Sequence, residues 1–186
     1  MRRPAIREWA IRILLLAPAL LTPAKGQALV EPAQATGGCC RGAVSQLRQA
    51  LLGLPDYGVF DAVQLEASGN SITLLGEVTC RNLKEDAAAV AGTNPGVRRV
   101  VNRIAVIAPD PGDDRIRLAT FDAIYGYSRL NWYAHRPIPP IRIVVNHGAV
   151  TLMGTVGSES DKNLAGTLAR HVADVSSVVN QLRVEP

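Results

Sequence analysis

Ala149–Val156 reads AVTLMGTV, and Ser71–Val78, lying 78 residues earlier, reads SITLLGEV. The alignment continues without a gap, so that Val97, Val100, Val101, Asn102 and Val106 fall on Val175, Val178, Val179, Asn180 and Val184. Over Ser71–Ile107 against Ala149–Glu185 about twelve of some thirty-seven positions are identical, which marks a duplication. A period this long, present twice, implies two small tandem domains rather than a solenoid.

Working outward, the first copy reads as helix, hairpin, helix, strand. Val44, Leu47, Leu51 and Leu54 have helical spacing across Ala43–Leu54, and Pro55-Asp56-Tyr57-Gly58 ends that helix. Val63, Leu65 and Ala67 alternate with polar neighbours, Gly69-Asn70 supplies a turn, and Ile72, Leu74 and Val78 alternate again. Gly76 and its counterpart Gly154 fall on the buried face, where a glycine marks close approach by a packed element, here expected to be a helix. Asn82 with Glu85 resembles a helix cap opening Asn82–Thr93, and a strand follows over Val97–Val106. In the second copy a helix is expected over Asp114–Ile124 and a strand over Ile141–Val145, with a turn at His147-Gly148. A final helix is capped by Ser158 with Asp161.

Before the first copy stands a targeting segment. Arg2, Arg3, Arg7 and Arg12 form a basic region, and Ile11–Leu21 is an apolar core too short to span a membrane. Residues 1–28 therefore read as a signal peptide cleaved after Ala28, and residues 29–42 as a flexible tether. The first domain occupies 43–107, a linker 108–113 and the second domain 114–186. The leader carries five Lys/Arg and one acidic residue, so from Leu29 onward basic and acidic residues balance at 15 each. The basic pI belongs to the leader, and nucleic acid is not an expected partner. Export permits disulfides, and Cys80 is expected to pair with Cys39 or Cys40, leaving one thiol over.

No nucleophile with its base, tuned carboxylate pair or metal-ligand spacing joins His135, His147, His171 or the cysteines, so neither an enzyme, a metal nor a cofactor is expected. Asp110, Asp113 and Asp114 read as solvated linker acids. The aromatic residues are more informative: Phe121, Tyr125, Tyr127, Trp132 and Tyr133 are five of the chain's eight. Together with Arg129 and Arg136 they suit a membrane interface or an anionic headgroup, or they fill the core beneath the loop. Tyr125, Tyr127, Arg129, Trp132, Tyr133 and Arg136 are the candidate lipid-contact residues.

The run Pro140-Ile-Arg-Ile-Val-Val-Asn-His-Gly-Ala-Val-Thr-Leu-Met-Gly-Thr-Val156, then Lys162, Ala165, Ala169, Val175 and Val178-Val179-Asn180, resembles the BON domain, an exported bacterial module. Thr73-Leu-Leu-Gly76, Pro95-Gly96-Val97 and Val101-Asn102 repeat it in the first copy; Asp174 departs from the pattern, standing where a glycine is expected. The resemblance implies an α/β fold of two tandem α-β-β-α-β sandwiches, each a three-stranded mixed sheet with two helices on one face. It also implies a periplasmic, envelope-associated protein in contact with phospholipid membranes, similar to dual-BON periplasmic stress proteins. Such a sheet leaves one face open, and Leu75, Val101, Val144, Met153 and Val179 are expected on it as contact residues. The two sheets are expected to pack on each other, or one on another chain. Two functions follow: an envelope protein binding anionic phospholipid surfaces peripherally and supporting envelope integrity, or a scaffold binding an envelope or secretion-system protein.

Overall fold

The computed structural model describes residues 38–185. The expected signal peptide and most of the tether lie outside the described residues. Each copy folds as an α-β-β-α-β sandwich. The first runs α1 (Gly38–Leu52), β1 (Ala62–Ser68), β2 (Ser71–Val78), α2 (Arg81–Thr93), β3 (Arg99–Asn102) and β4 (Ala105–Val106). The second runs α3 (Pro111–Tyr125), β5 (Ile141–Asn146), β6 (Ala149–Val156), α4 (Glu159–Arg170) and β7 (Ser177–Val184). In each sheet the central strand pairs antiparallel with its hairpin partner and parallel with the strand that returns after the helix. The mixed α/β architecture expected for both copies is the observed one.

Strand alternation decides the core. Ile72, Leu74 and Val78 of β2 are buried with Leu47, Leu51, Leu83 and Ala87 of the helices. Val150, Leu152 and Val156 of β6 are buried with Ile116, Ile124, Ala165 and Ala169. The same asparagine ties helix to strand in both copies. Asn102 Nδ2 donates to Lys84 O at 2.8 Å while its Oδ1 accepts Ile104 N–H at 3.1 Å. Asn180 does the same with Lys162 O at 2.7 Å and Leu182 N–H at 3.2 Å. Gly166 leaves α4 room for it, since a Cβ there would lie 2.7 Å from Asn180 Nδ2.

Several local expectations are corrected. The cap of α2 is Cys80, whose Sγ accepts Leu83 N–H at 3.4 Å, not Asn82. Cys80 is a free thiol in this structure; the side chains of Cys39 and Cys40 lie outside the described residues. The strand expected over Val97–Val106 is broken at Arg103–Ile104, where Asn102 Oδ1 takes Ile104 N–H and the isoleucine is buried. Helix α1 opens at Gly38, inside the stretch read as tether, and α3 at Pro111, inside the linker. Asp110 caps α3 by accepting Gly112 and Asp113 N–H, and Pro111 suits the first helical position because it needs no donor there. Asp113 is not solvated: it is buried and accepts His147 N–H at 2.9 Å and Gly148 N–H at 2.8 Å, holding the β5–β6 turn.

Gly76 and Gly154 are also explained differently. Their φ values are +118° and +111°, and a Cβ would collide with the carbonyl oxygens of Ala62 and Pro140 on the neighbouring strand, not with a helix. Asp174 has φ +65° where the first copy has Gly96 at +93°. Asp tolerates the left-handed region but is strained there relative to glycine. In urea unfolding, Gly154→Ala is expected to lose roughly 2 kcal/mol or more, whereas Asp174→Gly should be neutral or gain up to about 1 kcal/mol. An unchanged midpoint for Gly154→Ala would contradict the carbonyl-collision account.

Candidate functional site

Between α3 and β5 the second copy inserts a lead-in that the first lacks. Helix α3 stops at Gly126, and a short 3-10 turn at Asn131–Tyr133 follows, supported by Leu130 and Asn131 N–H to Tyr127 O at 2.9 and 2.8 Å. Leu130 is fully buried and anchors the segment in the core. Asn131 Nδ2 donates back to Tyr125 O at 3.0 Å. The lead-in is thus a folded segment with its own hydrogen bonds.

The six aromatic and basic candidates divide into two sets. Tyr125 and Tyr133 are buried and are corrected from contact residues to core residues. The Tyr125 hydroxyl donates to Ile141 O at 2.6 Å and accepts Ile141 N–H at 3.1 Å, which satisfies the start of β5. Burial pushes this phenol well above its ordinary pKa, against the opposing bond to Ile141 and the charge of Arg142. The Tyr133 hydroxyl accepts Gly157 N–H at 2.6 Å and donates to Asp161 Oδ2 at 3.1 Å. Asp161 Oδ1 takes Arg129 Nε at 2.9 Å, so one carboxylate on α4 holds two points of the lead-in.

Tyr127, Trp132 and the two arginines remain outside. Tyr127 is 45 % exposed and Trp132 46 %. The indole stacks on the buried Tyr133 ring with centroids 3.7 Å apart, and the Arg136 guanidinium sits 4.9 Å from the indole centroid. Arg136 has no carboxylate partner among the described residues, while Arg129 is committed to Asp161. The result is an exposed aromatic surface topped by a cation and mounted on a buried tyrosine.

The open-face candidates also divide. Strand register puts Leu75 opposite Gln64 and Met153 opposite Arg142, with Val144, Val101 and Val179 on the same outward faces. Val144 is buried and Met153 half-buried, packed with Ala62 and Ile107 of the first module, so Val144 is not a free surface residue. Leu75 and Val101 are half-buried, and Val179 is 48 % exposed. Asn146 Nδ2 to Glu77 Oε1 at 3.1 Å and Gln64 Nε2 to Met153 Sδ at 3.6 Å join the modules beside that contact.

Sequence reading missed Arg142. It is buried, its Nη1 donates to Gly58 O at 2.6 Å, and its guanidinium lies 4.5 Å from the centre of the Tyr57 ring. An arginine between two isoleucines on a strand was the available signal, because a charge in such a run needs a specific partner. Among the described residues, no three His, Cys, Asp or Glu side chains gather as metal ligands, and no helix is long and apolar enough to cross a membrane.

Burial alone would push the Asp161 carboxyl up, but bonds from Arg129, Ser158 and Tyr133 outweigh it and hold the group below its ordinary range. A depressed carboxylate contributes stability above its unfolded pKa, and that stability is lost as pH falls through the folded value. Stability should therefore decline from the ordinary aspartate range, about pH 4, downward. Asp161→Asn should lower stability at neutral pH and flatten this acid-side slope; parallel acid profiles for parent and variant would contradict the assignment.

A family model described as BON domain matches residues 44–108 and 127–186. An uncharacterized protein in the gshII 5′ region of Anaplasma centrale is 26% identical over 132 residues, covering 69% of this chain and 85% of that protein. Among solved structures, CdsD, a structural protein of the type III secretion system of Chlamydia trachomatis, aligns at TM-score 0.31 and 10% identity. That alignment covers 78% of this chain and 93% of the chain in that structure. A structure of the CdsD C-terminal domain aligns at the same TM-score and identity, with 76% of this chain and 65% of that one covered. The two matched segments take up most of the described chain, one lying in each sandwich: the chain belongs to the BON domain family.

Proposed function

We propose that this chain is a non-enzymatic, exported envelope protein that binds anionic phospholipid surfaces peripherally through the lead-in of its second module, supporting envelope integrity. The observation that carries the reading is the exposed Trp132 indole with Arg136 over it. An amphipathic ring of this kind is favoured at the boundary between headgroups and acyl chains, where its apolar body and polar edge are both accommodated. A guanidinium without a carboxylate partner is free to bond phosphate oxygens, which it does bidentately. Tyr127 would widen the contact and Arg129 would add charge near the surface, although Asp161 offsets part of it.

The reading requires more than charge, because the chain beyond the leader has no net excess of basic residues. Attraction has to be local, so it should be modest and steeply salt-dependent. Co-sedimentation of residues 29–186 with phosphatidylcholine vesicles, and with vesicles containing phosphatidylglycerol, tests it across a salt series. Binding should be confined to the anionic vesicles, fall as salt rises, and drop roughly tenfold or more in Arg136→Glu. Trp132→Ala should also weaken it. Equal binding to neutral vesicles, or undiminished binding by Arg136→Glu, would refute the assignment.

A further inference from the structure

The outer edge of β1 faces a cleft between the two modules, of about 520 Å³. Helix α1 contributes Arg48 and Leu51 to its walls, and the open face of the second sheet contributes Met153, Thr155, Gln181 and Arg183. The hairpin register sets which backbone groups of β1 point into it. Val63 N–H turns outward to the Tyr57 hydroxyl at 3.2 Å, so Leu65 and Ala67, two and four residues on, also direct their N–H and C=O away from β2. Among the described residues these groups have no protein partner.

The duplicated module shows what such an edge accepts. Ile141 and Ile143 correspond to Val63 and Leu65 under the 78-residue repeat. Ile141 N–H also bonds a tyrosine hydroxyl, that of Tyr125. Ile143 N–H, however, is bonded by a backbone carbonyl, Val59 O, at 2.9 Å. The second module's edge is therefore covered by main chain at the position where the first module's edge lies open. Unpaired edges invite strand addition, and β1 has no proline or lysine to discourage it.

We infer that β1 and the facing sheet of the second module form a docking groove for an extended acidic peptide segment of a partner protein, which adds a strand to β1. The bound strand would pair with Leu65 and Ala67 and direct alternate side chains toward Met153 and Thr155. Gln64, Glu66, Thr155 and Gln181 make the lining too polar for an acyl chain. Arg48, Arg142 and Arg183 outnumber Glu66 and Glu185 around the cleft, and neither Arg48 nor Arg183 has an ion-pair partner among the described residues. Main-chain bonds supply the affinity in this mode, and the side-chain environment selects the sequence. This groove is separate from the lead-in surface and does not depend on the membrane reading.

The test uses arrays of acetylated hexapeptides alternating Val or Thr with Asp or Glu, and matched arrays with Lys replacing the acids, probed with the full chain. The acidic arrays should bind, the lysine arrays should not, and a soluble acidic hexapeptide should slow hydrogen exchange at the Leu65 and Ala67 amides. Arg183→Glu, an exposed substitution that leaves the core intact, should weaken binding about tenfold or more. Equal binding of both arrays, or unaltered exchange at Leu65, would overturn the inference. So would protection of Leu65 by concentration-dependent dimerisation without peptide, which would assign the edge to a second copy.

Discussion

Arg142 joins the two modules. It is buried on β5, and its charge is met by the Gly58 carbonyl at 2.6 Å and the face of Tyr57. A charged donor to a carbonyl makes a strong hydrogen bond, and a buried guanidinium that lost it would be left uncompensated. With Ile143 N–H bonded to Val59 O, this contact lays the first module's connecting segment along the second module's edge strand. That placement brings Ala62 and Ile107 against Val144 and Met153 and opens the cleft beside β1. Val59 and Phe60 of the same connecting segment pack on the second module's core, Phe60 edge-on to Phe121, so apolar burial and the polar bonds together hold one sheet against the other.

Duplication explains both what the modules share and where they differ. The shared devices answer backbone problems that every copy of this topology meets. Asn102 and Asn180 connect helix to returning strand, Tyr57 and Tyr125 satisfy the first outward amide of the hairpin, and Gly76 and Gly154 avoid the neighbouring carbonyl. The differences lie where copies face something other than themselves. Only the second carries the Tyr127–Arg136 lead-in, fastened by Tyr133 and Arg129 to Asp161, and only its edge strand is covered by a backbone carbonyl. The exposed surface of the lead-in is thus held by buried groups, which fixes Trp132 and Arg136 together without requiring a ligand to order them.

The periodic parts of the fold were legible in the residues. Alternation at Ile72, Leu74 and Val78 and its repetition at Val150, Leu152 and Val156 placed both sheets and their buried faces, because burial on one face imposes a period of two. What was not legible depended on single side chains meeting distant backbone. Asp113 looked like a linker acid, yet it holds a turn 34 residues away. The aromatic stretch pointed to a membrane surface as a whole, but its spacing could not separate Tyr133, which turns inward, from Trp132, which stacks above it. Gly154 was recognisable as a constrained position, whereas the colliding partner, Pro140 O, required the register of the hairpin.

Coupling of the modules is the claim on which the cleft rests, and calorimetric unfolding tests it most directly. The parent chain should unfold in a single transition. Arg142→Met, which keeps much of the side-chain volume but loses the bond to Gly58 O, should lower the transition and separate it into two as the modules uncouple. Two independent transitions already present in the parent, or a Arg142→Met trace superimposable on it, would contradict the account.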